Sequence, residues 1–287
     1  MSASWELGKQ SLRVLQDDKR LVVFPLISAV ACLLVLASFA VPLLLTMDWQ
    51  SIRNSRGSQQ HVSVSPAYYA VAFAFYFVNY TVIAFFNSAL IGCVMRRFDG
   101  QEAGVQEGLR IAASRLPQIL GWALVSATVG MVLRAISERA GLIGKIVIGL
   151  IGFVWTVATY FVVPVLVVEG LGPIEAVKRS AETIKKTWGE SIVTNIGLGA
   201  MSFVGFLIAT LPLIFGGALS IALDSPWPVA AGGAATLVLW IALALITSTL
   251  KMILIAALYR FAATGQVPAG FDGELLGKVF RKKGEKR

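Results

Sequence analysis

The sequence predicts an all-α polytopic membrane helix bundle with six transmembrane helices. Three observations lead there. Hydrophobic residues fill 56% of the 287 positions and charged residues only 14%, against about 25% charged in soluble globular chains. Six apolar stretches reach the roughly 20 residues that a helix needs to cross a ~30 Å hydrocarbon core. The basic residues behind the net charge of +9 gather at the edges of these stretches. Lipid offers the backbone no hydrogen-bond partners, so apolar stretches of this length must be helical.

Ser4 to Arg20 carries Lys9, Arg13, Asp17, Asp18 and Lys19, which does not read as the short basic leader of a cleaved signal peptide. The first span, Leu21 to Met47, is therefore expected to remain in the mature protein. The others are placed at Tyr68 to Val94, Leu116 to Ile136, Leu142 to Val168, Ser191 to Leu219 and Val229 to Tyr259. The third is bounded by Pro117 and Arg134, so a re-entrant or tilted helix is the alternative there. The polar stretch Asp48 to Pro66 is too short and too rich in Ser and Gln for a folded domain.

Lysine and arginine set the orientation. Nineteen lie in the N-terminal segment, the second and fourth connections and the C-terminal end, against Arg53, Arg56, Arg134, Arg139 and Lys145 on the other side. The positive-inside rule then puts both termini in the cytoplasm of a multi-pass inner-membrane protein, as an even number of spans requires.

An internal repeat organises the chain. Glu107-Gly-Leu-Arg-Ile-Ala-Ala precedes the third span and Glu175-Ala-Val-Lys-Arg-Ser-Ala the fifth, while a looser Lys9-Gln-Ser-Leu-Arg-Val-Leu precedes the first. Each copy reads as an amphipathic cytoplasmic helix plus two spans, over about 4–97, 98–169 and 170–262 of a single membrane domain. In the third copy Ile174, Val177, Ala181, Ile184 and Trp188 share about a quarter of the helix circumference. Val105, Leu109, Ala112 and Leu116 form the stripe of the second copy. Such helices are expected in the headgroup plane. There Trp5, Arg13, Arg110, Arg115, Lys178, Lys185, Lys186 and Trp188 would meet anionic lipid headgroups or a protein partner. Residues 263–287 form a basic cytoplasmic tail, read either as solvated chain or, through a truncated fourth copy from Phe271, as a clamp on acidic lipid.

Within the spans polar groups are few. Lys251 lies nine residues before Arg260, about 13 Å deeper along a helix. Thr247 and Ser248 stand a turn away, and Glu190 or Glu169 are its candidate ionic partners. It either snorkels to the headgroups or belongs to a substrate or ion site. Asn79 with Asn87, and Ser191, Asn195 and Gly199, read as interhelical contacts. Pro25, Pro42, Pro164 and Pro212 should kink or break their helices. Gly149 with Gly152, Gly197 with Gly199, and Gly232 with Gly233 suit close helix packing.

No enzyme motif is present. The one histidine, His61, excludes the usual His-rich zinc sites, and Cys32 and Cys93 fall in apolar runs, where a disulfide is not expected. No cofactor, metal or nucleic acid is expected, because the basic residues follow loop edges and suit a membrane surface.

Ser4-Trp5-Glu6-Leu7 with Phe24-Pro25, Phe86-Asn87-Ser88-Ala89-Leu90, Val163-Pro164-Val165 leading to Glu169-Gly170, Lys186-Thr187-Trp188-Gly189-Glu190, and Tyr259-Arg260-Phe261 together resemble a family of uncharacterised bacterial integral membrane proteins. The resemblance spans nearly the whole chain and implies a cytoplasmic-membrane location and a six-helix bundle. More distantly, the pattern of one helix plus two spans is similar to the membrane domain fused to some glycerophosphodiester phosphodiesterases. It brings no functional residue with it. Two expectations follow: a non-enzymatic scaffold or accessory subunit, which a homo-oligomer would also suit, or a transporter or channel with a polar site around Lys251.

Overall fold

The computed structural model describes residues 2–46, 66–187 and 202–280. These are helical, with no strand among them, and six helices are long and apolar enough to cross a membrane. That is the build of a multi-pass membrane protein. The Asp48 to Pro66 stretch lies almost wholly outside the described residues, as do Trp188, Glu190, Ser191, Asn195, Gly197, Gly199 and the last seven residues of the tail.

Helix α1 (Ser2–Asp17) leads through a 3₁₀ turn (Lys19–Val22) into α2 (Val23–Thr46). The Asp18 carboxylate accepts from the Arg20 N–H at 3.1 Å and caps that turn. Helix α3 (Pro66–Phe98) is followed by the short α4 (Val105–Ser114). Helix α5 (Leu116–Arg139) is one continuous element of 24 residues. Pro117 sits in its first turn, where a missing N–H costs nothing, so the third stretch crosses in one piece and needs no re-entrant turn.

The fourth span is divided into α6 (Leu142–Ala158) and α7 (Val162–Val168), and α8 (Pro173–Thr187) follows it. The fifth comprises helical residues 202–209 and α9 (Leu211–Leu223). Helix α10 (Trp227–Thr264) is 38 residues long, about 57 Å at 1.5 Å per residue, so it must project beyond the hydrocarbon. Helix α11 (Gly273–Phe280) closes the described chain.

Two of the four prolines accompany a break. Pro25 lies in the first turn of α2, and Pro42 lies inside that helix without ending it. Pro164 and Pro212 each follow an interruption, because a proline ring crowds the carbonyl one turn upstream and removes its hydrogen bond. Both breaks are completed from a neighbouring helix. The Phe161 N–H donates to Ser180 Oγ at 3.0 Å, and the Leu213 N–H donates to Thr236 Oγ1 at 3.1 Å.

The large buried side chains cluster toward one end of the bundle. Leu7, Leu21, Phe24, Leu90, Phe161, Leu166, Ile253, Leu258 and Leu276 are all essentially inaccessible. Helices α1 and α11 meet at this end, where Gln10 Oε1 accepts from the Asp272 N–H at 3.2 Å; it is the terminal end of the bundle. The opposite halves of α2, α6 and α10 expose leucine, isoleucine and valine side chains, which hydrocarbon can cover.

Away from the terminal end, α9 and α10 form a close hairpin. A Cβ at Gly216 would collide with the Pro228 carbonyl, and one at Gly232 with the Pro212 carbonyl, so the backbones touch, as in small-residue packing between membrane helices. Gly233 is more loosely placed, since a Cβ there would lie 3.8 Å from Leu213. Gly149 and Gly152 make no close packing contact among the described residues. Among these residues nothing outside the helix lies within 4 Å of where their Cβ atoms would be.

Candidate functional site

At the terminal end the span ends and short helices are tied by a belt of charged groups. Arg97, near the end of α3, reaches Asp17 at 3.6 Å and Asp18 at 3.3 Å. Arg96 contacts Glu107 of α4 at 3.2 Å, and Arg110 meets the same carboxylate at 2.9 Å. Arg260 of α10 pairs with Asp99 at 2.6 Å. Exposed pairs of this kind contribute only about 0–1 kcal/mol each, so the belt positions the helices more than it stabilises them.

One cluster of the belt is more deeply set. Just beyond α7, Glu169 accepts a 2.6 Å hydrogen bond from the Tyr259 hydroxyl, and Arg179 Nε lies 3.0 and 3.1 Å from its two oxygens. Tyr259 is 3% exposed and its ring is 5.9 Å from Phe161. The hydrogen bond to Glu169, and after it that carboxylate's charge, raise the Arg179 pKa above its ordinary value, so the guanidinium stays charged. Three groups thus join the end of the fourth span, α8 and α10. Glu169 is committed here rather than to Lys251.

The short helices turn their buried faces to the bundle. Leu7, Ser11, Val14 and Leu15 of α1 are buried, as are Gly108 and Ala112 of α4, while Val105 and Leu109 pack partly against the core. Leu116 is 40% exposed. In α8 the buried residues are Ala176, Ser180, Thr183 and Ile184, whereas Ile174 is 52% exposed. The buried face of α8 is therefore centred about a quarter turn, at 100° per residue, from the apolar stripe, which meets the core along one edge through Val177 and Ile184. The small residues of the observed face permit close approach, and Ser180 brings the acceptor for the broken fourth span.

Ser180 also gives a direct test of that tie. Ser180→Ala is expected to leave the Phe161 N–H unpaired at a cost of about 1–2 kcal/mol, read as a lower thermal midpoint in detergent. Ser180→Cys or Ser180→Thr, which keep a polar atom at that position, should lose less. An alanine variant as stable as wild type would show that the bond carries no stability.

The other expected groups are distributed as follows. Trp5 is 52% exposed with Lys9 Nζ 5.8 Å from its ring centre. Arg13, Lys178 and Lys185 are exposed, and Lys186 belongs to the last turns of α8. Arg115 is half-buried, and its Nε donates to the Val167 carbonyl at 3.3 Å. That bond turns it toward the chain leaving the fourth span. Lys251 is exposed on the outside of α10. Ser202 Oγ lies 3.4 Å from Thr247 Oγ1, and Ser248 is half-buried. Asn79 donates to the Phe75 carbonyl of its own helix at 3.0 Å, a turn back rather than across to a neighbour, and Asn87 is half-buried. Cys93 is buried, Cys32 partly so, and both are free thiols.

Residues 66–271 match a family of unknown function, DUF6159. The chain belongs to this family. No curated protein and no solved structure matches it. The matched region of this family member begins at α3 and takes in the whole Glu169, Arg179 and Tyr259 cluster. Among the described residues no group of three or more His, Cys, Asp or Glu side chains could hold a metal.

In the sequence Glu169 reads as a candidate partner of Lys251, and neither Ser180 nor Thr236 stands out. A signal for Ser180 was present. Glu6 and Ser11 in α1 have the same spacing as Glu175 and Ser180 in α8, and both serines are fully buried.

Proposed function

We propose that this protein is a non-enzymatic scaffold or accessory subunit of the bacterial cytoplasmic membrane, with both termini in the cytoplasm. In this reading the terminal end presents a fixed basic surface to anionic lipid headgroups or to a protein partner. The observation that carries it is the docking of α1, α4 and α8. Each buries one face in the bundle while Arg13, Arg110, Lys178 and Lys185 remain exposed. Basic groups held at an anionic leaflet contribute around 1 kcal/mol each, and a rigid array loses little entropy on binding.

Three repeated units account for the arrangement. Helix α1 is aligned on Glu6, three residues before the Lys9 that opens its copy in the sequence. The residue after a glutamate and the one four positions later are then buried as Leu7 and Ser11, as Gly108 and Ala112, and as Ala176 and Ser180. All three helices would enter from the same side, a parallel repeat.

Native mass spectrometry of protein released from nanodiscs tests the proposal. A lipid or protein partner should be retained by wild type and lost when Lys178, Lys185 and Lys186 are replaced by glutamine, with the thermal midpoint unchanged. Retention that is indifferent to those replacements would sink it. The competing reading, a transporter or channel, draws on the depth of Lys251 in α10. It requires Lys251→Met to abolish the retention of a small molecule while the fold persists.

A further inference from the structure

A cleft of about 780 Å³ opens at the terminal end between the C-terminal part of α1 with its 3₁₀ turn, the loop at 100–104 and the turn at 269–270. Its volume lies in the range of about 300–1,000 Å³ usual for small-molecule sites. The first span begins at Lys19, the second ends at Phe98 and the sixth at Thr264. The cleft walls are therefore residues at and just beyond the ends of three apolar helices, a position that suits a mouth near headgroup level.

The lining has both signs of charge. Asp17 and Asp18 share the single guanidinium of Arg97, leaving about one negative charge there, and Glu102 adds another from the facing loop. Lys19 and Arg20 supply two positive charges. The side chains of Lys19, Arg20 and Glu102 are exposed and have no ion-pair partner among the described residues. A simple anion would be drawn to Lys19 and Arg20 but repelled by the acidic groups, and a simple cation would meet the reverse. A ligand with a phosphate and an ammonium a few bonds apart can satisfy both sets at once.

We infer that this cleft binds a phosphate–ammonium zwitterion of the phosphoethanolamine class, its phosphate on Lys19 and Arg20 and its ammonium toward Glu102 and Asp17. The source is either an aminophospholipid headgroup or a water-soluble phosphoethanolamine ester. The site is separate from the surface formed by Lys178 and Lys185.

The test uses full-length protein in nanodiscs of equal parts phosphatidylethanolamine and phosphatidylglycerol, read by native mass spectrometry, with glycerophosphoethanolamine titrated into detergent-purified protein in parallel. Phosphatidylethanolamine should be retained in preference to phosphatidylglycerol. The Lys19→Ala, Arg20→Ala double variant should cut that retention about tenfold or more, and Glu102→Gln should erase the preference. Saturable binding of glycerophosphoethanolamine, lost in the same variants, would support the site with a soluble ligand as its source. Equal or reversed retention of the two lipids without binding of the soluble ester overturns the inference, as does binding unchanged in the variants. Replacing Lys178 and Lys185 should leave this retention intact even where it removes other partners, so the two proposals can fail separately. The three replaced side chains are exposed, and an unchanged thermal midpoint verifies that the variants fold.

Discussion

Replacing Glu169 by alanine is expected to destabilise the protein by about 1–3 kcal/mol, mainly the cost of leaving the buried Tyr259 hydroxyl without its acceptor, with the partly exposed Arg179 pair adding less. The Tyr259 hydroxyl is enclosed and points at this carboxylate, and Arg179 is held by its two oxygens. Alanine supplies no acceptor, and because Glu169 is partly exposed water can reach the vacated position. Glu169→Gln should fall between alanine and wild type. Its amide oxygen still accepts from Tyr259, but the charge that holds Arg179 is gone. Tyr259→Phe removes one bond and should cost about 1 kcal/mol. Thermal midpoints in detergent give the order, with wild type above both Tyr259→Phe and Glu169→Gln, and Glu169→Ala lowest. Equal midpoints for the glutamine and alanine variants would show that the acceptor is unimportant, and an unaltered alanine variant would show that the cluster carries no stability.

The second large effect is expected from Gly108→Leu. A Cβ at this position in α4 would lie 2.6 Å from Cys93 Sγ, 2.7 Å from a ring carbon of Phe24 and 2.8 Å from the Ala89 carbonyl oxygen. One of these contacts is backbone and cannot rotate aside, so α4 must lift from α3. Overpacking a closed contact costs about 1–3 kcal/mol and more when an element is displaced. Cys93 is 2% exposed and offers an independent readout. The leucine variant should lose thermal stability and make Cys93 reactive to a maleimide, while Gly108→Ala should do less of both. A leucine variant that keeps Cys93 protected and melts with wild type would mean that α4 is not pressed onto α3.

The six crossings were legible because hydropathy is local. Each stretch states its own transfer free energy, and no knowledge of its neighbours is needed to read a helix from it. The ends were less legible. Helix α3 continues to Phe98 and α10 to Thr264, several residues past the apolar stretches, because intrahelical hydrogen bonds persist beyond the point where side chains turn polar. The prolines show the same limit. Each removes a bond, but whether the helix parts depends on what a neighbouring helix offers the backbone around the break. At the two interrupted spans Ser180 and Thr236 of neighbouring helices accept from the Phe161 and Leu213 N–H groups beside the break.

Helix rotation was the part that periodicity left open. In α8 the sequence shows an apolar stripe through Ile174 and Val177, and hydrophobicity alone would turn that stripe inward. In a membrane Ile174 need not be buried in protein, since lipid serves it equally well. Close contact favours the small side of the helix, through Ala176 and Ser180.

By itself, then, the sequence determined the all-helical class and the six crossings, since chain length, hydropathy and backbone hydrogen bonding in lipid leave no other solution. Only the tertiary structure decided that Glu169 belongs to Arg179 and Tyr259, that Arg115 turns to the Val167 carbonyl, and that Lys251 lies on the outside of α10. Glu169 and Tyr259 are 90 residues apart. Pairings of that kind are set by how helices approach and rotate against one another, a property of contacts between segments that no single segment encodes.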